Sequence, residues 1–376
     1  MNKKFKIVLI ANTSNFFNVF MLNHIKQISK KFDLYICCNN ANSIKKKIPS
    51  SVSLININFK RGLNLPHDVI SFFNILFFFL KNRPNLSISF TPKIGFMVAL
   101  ASFIVRVPWR VHWFTGQIWA SKKGLYKIIY KFIDKIIYFL SNDILVDGVS
   151  QRNFLINENV VSKNKSIVFH KGSVGGVDTK KFKFNNQKRI KLREKYLISQ
   201  NTFVFLYLGR INKDKGIIEL VNAFKKIQNN SNVLLIFVGQ LEDSKLIQLF
   251  QNNKKIFYFS FSNNPEDWFS VADILCLPSH REGFGTVVIE AASCGIPALC
   301  SNIYGLRDAV IHNKTGFFHE VGSSSDIKSK MKYIIKNKKQ VKNLGIMAKK
   351  KATKDFDKNL ITKQLLKFIN SNINLK

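Results

Sequence analysis

The strongest constraint on the fold is a rhythm of short apolar runs and helix-like stretches that starts twice along the chain. Runs of strand length occupy residues 5–11, 34–38, 53–57, 86–90, 110–114, 143–146 and 166–169, separated by longer stretches with helical periodicity. The same alternation begins again at 203–208 and continues through 233–238, 256–259, 274–277, 297–300 and 316–318. Parallel strands need a crossover long enough to hold a helix, so this pattern builds parallel sheets covered on both faces. A chain of 376 residues also exceeds one typical core. The expectation is therefore α/β, with a first domain over 1–183 and a second over 184–376. Three glycines in the break at 170–178 and the polar run 179–187 mark the connection. Three basic helices, about 325–336, 338–351 and 360–370, close the second domain.

Charge narrows the partners. Lys and Arg number 59 against 22 Asp and Glu, a net charge of +37 that draws the chain toward phosphate-rich ligands and anionic lipid. The cations are dispersed and no nucleic-acid recognition motif occurs, so nucleic acid is not expected as a partner. Cys37, Cys38, Cys276, Cys294 and Cys300 lack metal-ligand spacing, and their odd number fits a reduced cytoplasm better than a disulfide framework. The apolar tracts 69–80 and 95–105 fall short of the roughly 20 residues of a spanning helix, and 7–11 has the length of a strand rather than a signal core. Peripheral contact with the cytoplasmic face of an anionic membrane is compatible with all of this.

Chemistry concentrates in the loops after strands, where open parallel sheets gather their ligands. In the second domain the stretch 279–292 carries Glu282, the turn Gly283-Phe284-Gly285, Thr286 at a helix start, and Glu290. A helix start offers unpaired N–H groups and a positive dipole end to a phosphate, and carboxylates accept hydrogen bonds from sugar hydroxyls. Upstream, Gly209-Arg210 and Lys215-Gly216 bracket a loop whose two cations suit a diphosphate. That loop lacks the Gly-Lys-Ser/Thr ending of an ATPase phosphate loop.

These pieces in this order, with Gly295-Ile296-Pro297 and Thr315-Gly316-Phe317 downstream, resemble the retaining glycosyltransferases of family 4, the two Glu residues forming their E-x7-E motif. In the first domain, Thr91-Pro92-Lys93-x-Gly95 and His112-x-Phe114-Thr115-Gly116-Gln117-x-Trp119 look like the branch that builds bacterial surface polysaccharides, O-antigen or capsule, on a polyprenyl diphosphate carrier. The resemblance implies two Rossmann-like domains facing across a cleft, the GT-B arrangement, with acceptor bound by the first and nucleotide-sugar donor by the second. It implies that Arg210 and Lys215 clamp the donor diphosphate beside Gly209, and that Glu290 takes the ribose hydroxyls. Glu282 and the backbone of Gly283, Phe284, Gly285 and Thr286 would contact the transferring sugar, and His112 would face it. Thr13, Lys93, Thr115 and Gln117 are the acceptor-side candidates. One departure is plain: the first loop, Asn12-Thr13-Ser14-Asn15, lacks the glycine pair common in relatives.

The implied reaction moves a hexose or N-acetylhexosamine from a nucleotide-sugar, most often UDP-linked, to a lipid-linked saccharide with retention, without a metal or a cofactor. An epimerase or phosphorylase on the same fold is the nearer alternative. A basic membrane-surface or nucleic-acid-binding protein is the more distant one, and it leaves Glu282 and Glu290 without a role. Two further residue readings stay open. His112 is either a general base or a packed, hydrogen-bonded histidine. The helix-like stretch 122–140, with Lys123, Lys127, Lys131 and Lys135 at every fourth position, either lies in a membrane interface or packs its apolar side on the sheet with its lysines in water.

Overall fold

A computed structural model of the chain describes residues 5–60, 62, 64–251 and 253–373. It divides into two compact units, 1–176 with 358–376, and 177–357.

Among the described residues of the first unit, seven strands form one parallel sheet in the order β3-β2-β1-β4-β5-β6-β7. They are β1 (Lys6–Thr13), β2 (Asp33–Asn39), β3 (Ser53–Asn56), β4 (Leu86–Phe90), β5 (Trp109–Phe114), β6 (Asp143–Val146) and β7 (Ser166–Ile167). β4 is buried along its whole length, as a strand covered on both faces must be. Helices α1 (Leu22–Ile28), α2 (Leu65–Asn82), α3 (Pro92–Ile104), α4 (Gly124–Leu140) and α5 (Val149–Asn157) lie between the strands. The crossovers β3 to β4, β4 to β5 and β5 to β6 all step the same way across the sheet. Right-handed connection therefore sets α2, α3 and α4 side by side on one face.

The second unit opens with α6 (Asn186–Lys195) and a six-stranded parallel sheet, order β10-β9-β8-β11-β12-β13 among the described residues. Its strands are β8 (Phe203–Leu208), β9 (Val233–Val238), β10 (Ile256–Phe259), β11 (Ile274–Leu277), β12 (Ala298–Ser301) and β13 (Gly316–His319). The helices are α7 (Ile217–Lys225), α8 (Pro265–Val271), α9 (Thr286–Ser293), α10 (Ser324–Lys336) and α11 (Lys338–Phe356). In this sheet the chain runs outward from β8 in one direction and returns to pair β11 on its other side. A crevice opens at such a reversal, flanked by the loops that leave β8 and β11.

The units divide at Gly176 and Val177, not near residue 184, and the final helix α12 (Lys358–Asn372) belongs to the first unit. Val177 is buried in the second unit's core and donates its N–H to Phe356 O at 2.7 Å. Leu365 and Ile369 of α12 are fully buried in the first unit's core. Phe368 lies 5.1 Å from the Trp109 ring, and Asn23 Nδ2 donates to Thr362 Oγ1 at 2.7 Å. A basic amphipathic pattern specifies that a helix buries one side but not against which sheet.

The helix α6 has no apolar periodicity to announce it, because arginines anchor it. Arg189 and Arg193 both pair with Asp273, at 2.8 and 3.0 Å, and their guanidinium groups also donate to the carbonyls of Ser270, Val271 and Ala272. All five cysteines are buried free thiols, and burial raises their pKa values.

Candidate active site

The loops after β8 and β11 meet at the reversal of the second sheet. Gly216 holds φ at +66°, and a Cβ there would collide with the Pro278 carbonyl, so only glycine lets the two loops approach this closely. Lys215, one residue earlier, reaches across to Glu282: Nζ lies 2.6 Å from Oε1. The fully buried Ser279 donates its hydroxyl to the same oxygen at 2.7 Å. Both side chains of the ion pair are about 15% exposed, at 14% and 16%, so the pair is held by its surroundings yet open to a ligand.

Arg210 leaves the same loop toward a different carboxylate. Its Nη1 donates to both oxygens of Glu242 at 3.1 Å, and Asn212 Nδ2 donates to Glu242 Oε2 at 2.7 Å. Half of the Arg210 side chain is exposed. The buried Tyr207 hydroxyl donates to the Arg210 carbonyl at 2.6 Å and ties the loop to its strand. Burial first, and then the charge of Glu282, keep that phenol far above its usual pKa.

The residues that follow Glu282 divide by role. Gly283 and Thr286 are half-buried at the start of α9, and no side chain caps that helix. Phe284 is buried, its ring centre 5.2 Å from that of Phe356. Glu290, on the second turn of α9, makes no side-chain hydrogen bond or ion pair among the described residues and is half-buried. Burial pushes its carboxyl up to about 8, against the pull of Lys181 and with the push of Glu266. A hollow lined by Lys181, Phe184, Glu266 and Ser270 lies on this side, and neither Lys215 nor Glu282 lines it.

The first unit's candidates occupy the carboxyl ends of its strands, but several are already engaged. His112 on β5 is 1% exposed, and its Nδ1 pairs with Ser89 Oγ at 2.8 Å. Gly95 sits so close that a Cβ there would strike the imidazole. Burial lowers the His112 pKa to about 3, and Nε2 is buried without a partner. This is the environment of a packed histidine; a general base needs a route to its substrate that the enclosed ring does not have here. Lys93 pairs with Asp68 at 2.5 Å and donates to Lys60 O at 3.0 Å and to Gly62 O. Gln117 is fully buried and accepts from Gln151 Nε2 at 3.0 Å. Thr13 is exposed at the end of β1 and Thr115 half-buried after β5.

Sequence reasoning gave no role to Ser279 and Asn212, although both stand in the stretches it singled out, and it passed over Glu242. Ser279 directly follows the proline after β11, and Glu242 is the carboxylate after the glycine that ends β9. Position in a loop after a strand is the signal for all three, and only Ser279 and Asn212 stand in the loops that flank the sheet reversal.

The glycosyl transferases group 1 family model matches residues 188–351, which lie in the second unit. The Staphylococcus aureus capsular polysaccharide biosynthesis glycosyltransferase CapM is 30% identical over 350 residues, 91% of this chain and 90% of CapM. The Escherichia coli UDP-Gal:alpha-D-GlcNAc-diphosphoundecaprenol alpha-1,3-galactosyltransferase is 24% identical, over 78% of this chain and 77% of its own length. In fold, the crystal structure of Anabaena HepE in complex with UDP-glucose superposes with a TM-score of 0.80 at 18% identity, covering 97% of this chain and 99% of HepE. Two parallel α/β sheets of this order, the paired loops at Lys215 and Glu282, and similarity along nine-tenths of CapM place the chain in one family: it is a group 1 glycosyltransferase, of the retaining family 4 with the GT-B fold.

Proposed function

We propose that the protein transfers a hexose or N-acetylhexosamine from a UDP-sugar to a polyprenyl-diphosphate-linked saccharide during synthesis of a bacterial surface polysaccharide. The observation that carries this reading is the Lys215–Glu282 pair beside the uncapped start of α9, at the sheet reversal of the second unit. The UDP-glucose in HepE and the undecaprenol-linked acceptor named for the E. coli relative supply the substrate classes.

Breaking the bond between the anomeric carbon and UDP leaves negative charge on the β-phosphate and positive charge on the sugar ring. Lys215, Arg210 and the N–H groups at the start of α9 are fixed in advance with the sign that stabilises the former. Glu282 holds Lys215 in place and presents its second oxygen to a sugar hydroxyl. Glu290, neutral up to about pH 8, can donate as well as accept toward the ribose hydroxyls. The departing phosphate oxygen takes the acceptor's proton as the new glycosidic bond forms on the same face of the sugar, which gives retention without a protein nucleophile. This scheme requires no metal and no cofactor, because the protein's own cations meet the leaving group.

The test is a panel of UDP-sugars with a synthetic polyprenyl-diphosphate-linked monosaccharide, with and without chelator, read by mass and anomeric configuration. One donor should yield a disaccharide of retained configuration at undiminished rate in chelator. Inverted product, loss of turnover in chelator, or epimerised sugar without acceptor would overturn the reading.

A further inference from the structure

The first unit exposes an apolar face that faces no other part of its fold. On α2, the residues Leu65, Val69, Phe73, Phe77 and Leu80 fall at helical spacing, and all are exposed, Phe77 by 63%. On α4, Leu125, Ile128, Phe132 and Phe139 do the same, Phe132 by 61% and Phe139 by 78%. Between the two helices packs α3, whose last turn exposes Phe103 and Ile104. Single exposed apolar residues are ordinary, but three adjacent helices showing them together on one layer are not.

α4 is inverted relative to an ordinary surface helix. Lys127 and Lys131 are only partly exposed: both pair with Glu158, at 3.4 and 2.7 Å, and their ammonium groups lie 5.9 and 5.8 Å from the centre of the Trp119 ring. Two of the four lysines of the repeat are thus engaged by the protein while Lys123 and Lys135 stay exposed, and the phenylalanine and isoleucine side also meets solvent. A helix that packed its apolar side on the sheet would show the opposite arrangement.

Charge at the margin selects the occupant. Lys81 stands in the last turn of α2 and Arg83 follows it, Arg106 follows α3, Lys122 and Lys123 precede α4, and Lys135 rides on it; all six are exposed. The acids of these helices are withdrawn: Asp68 is paired with Lys93, and Asp134 is buried under the Trp119 Nε1 donor at 2.7 Å. An apolar field ringed by cations, with no exposed carboxylate on α2, α3 or α4 among the described residues, matches acyl chains below anionic head groups. A second copy of the same face would bring like charges together. No helix among the described residues is long and apolar enough to cross a bilayer, so these helices lie in its surface.

We propose that the α2–α3–α4 face is a monotopic membrane-docking surface, inserting the phenylalanines of α2 and α4 into the outer acyl region of an anionic bilayer. It stands apart from the reaction assigned to the second unit and is tested without measuring turnover.

The experiment is vesicle sedimentation of the full chain with phosphatidylcholine alone and with equimolar phosphatidylglycerol, alongside sedimentation velocity without lipid. Wild type should partition into the mixed vesicles, and less so as salt rises. Phe73→Ser/Phe77→Ser/Phe132→Ser/Phe139→Ser should lower that partition about tenfold or more while keeping the wild-type circular dichroism and melting profile. Ile346→Ser/Met347→Ser, an exposed apolar pair on α11, should leave it unchanged. The proposal falls if the folded quadruple variant partitions like wild type, or if wild type stays in solution with the mixed vesicles. It falls equally if wild type is a dimer that the variant dissociates and vesicles do not, which would make the face a self-association surface. Loss of partition on Lys122→Glu/Lys123→Glu/Lys135→Glu alone, with the quadruple serine variant unaffected, would reduce it to adsorption by charge.

Discussion

Lys215 Nζ lies 2.6 Å from Glu282 Oε1, and that oxygen also accepts the Ser279 hydroxyl at 2.7 Å. The lysine is therefore oriented before any ligand arrives, across a loop contact that Gly216 alone permits. If it stabilises the departing diphosphate, Lys215→Ala should lower kcat about 100-fold or more with a smaller change in donor KM, and Ser279→Ala should cost less than Lys215→Ala. Steady-state kinetics with a UDP-sugar panel checks this, and unchanged turnover in Lys215→Ala would remove the site assignment.

Glu290 carries a pH signature. Its carboxyl is raised to about 8 in the folded chain by burial, against an ordinary value of 4.5. Between those values the unfolded chain ionises and the native one does not, so the residue subtracts stability progressively as pH rises from about 4.5 to about 8. Glu290→Gln should thus gain stability relative to wild type across that window, read as a growing difference in Tm. Glu290→Ala should weaken donor binding about tenfold at neutral pH, whereas Glu290→Gln, close to the protonated form, should retain most of it.

His112 titrates in the opposite sense. Its native pKa of about 3 lies below the ordinary 6.5, so below pH 6.5 the unfolded chain takes up a proton that the native chain refuses. Stability is lost as pH falls toward 3, and the buried His24, lowered to about 4, adds to the loss. His112→Asn should flatten part of this acid slope in denaturant titrations. Its kcat-against-pH profile should keep the same limbs as wild type; disappearance of a limb near neutrality would return His112 to the role of base.

Asp273 holds two arginines of α6, one of them, Arg193, wholly buried. Asp273→Ala leaves that guanidinium without its charge partner and should destabilise the second unit by about 3 kcal/mol, seen as a lowered unfolding midpoint. Lys188→Ala, whose pair with Asp267 at 3.2 Å is half exposed, should change stability by less than about 1 kcal/mol.

Much of this was readable in the order of residues. Each strand read from an apolar run is a strand in the structure, because a strand covered on both faces draws its residues mostly from the apolar set, as β9 does along its whole length. Lys215 and Glu282 were legible too, since both follow strands that flank the sheet reversal, and a glycine marks their close approach. Helix α6 was not, because its contacts are ionic and lie 80 or more positions away in Asp273. Nor was the return of α12 to the first unit, which depends on Trp109 and Phe169 offering Phe368 a place.

By itself the sequence determined two parallel α/β sheets, the family, and the loops in which cations and carboxylates gather, since periodicity and motif spacing are local properties. Only the tertiary structure decided which partner each side chain meets. It set Lys215 against Glu282 and Arg210 against Glu242, enclosed His112 behind Gly95, and paired Lys127 and Lys131 with Glu158 while α4 shows Phe132 and Phe139 to the outside. A repeat of lysines every fourth residue fixes one side of a helix. Which way that side faces depends on the elements that pack against it.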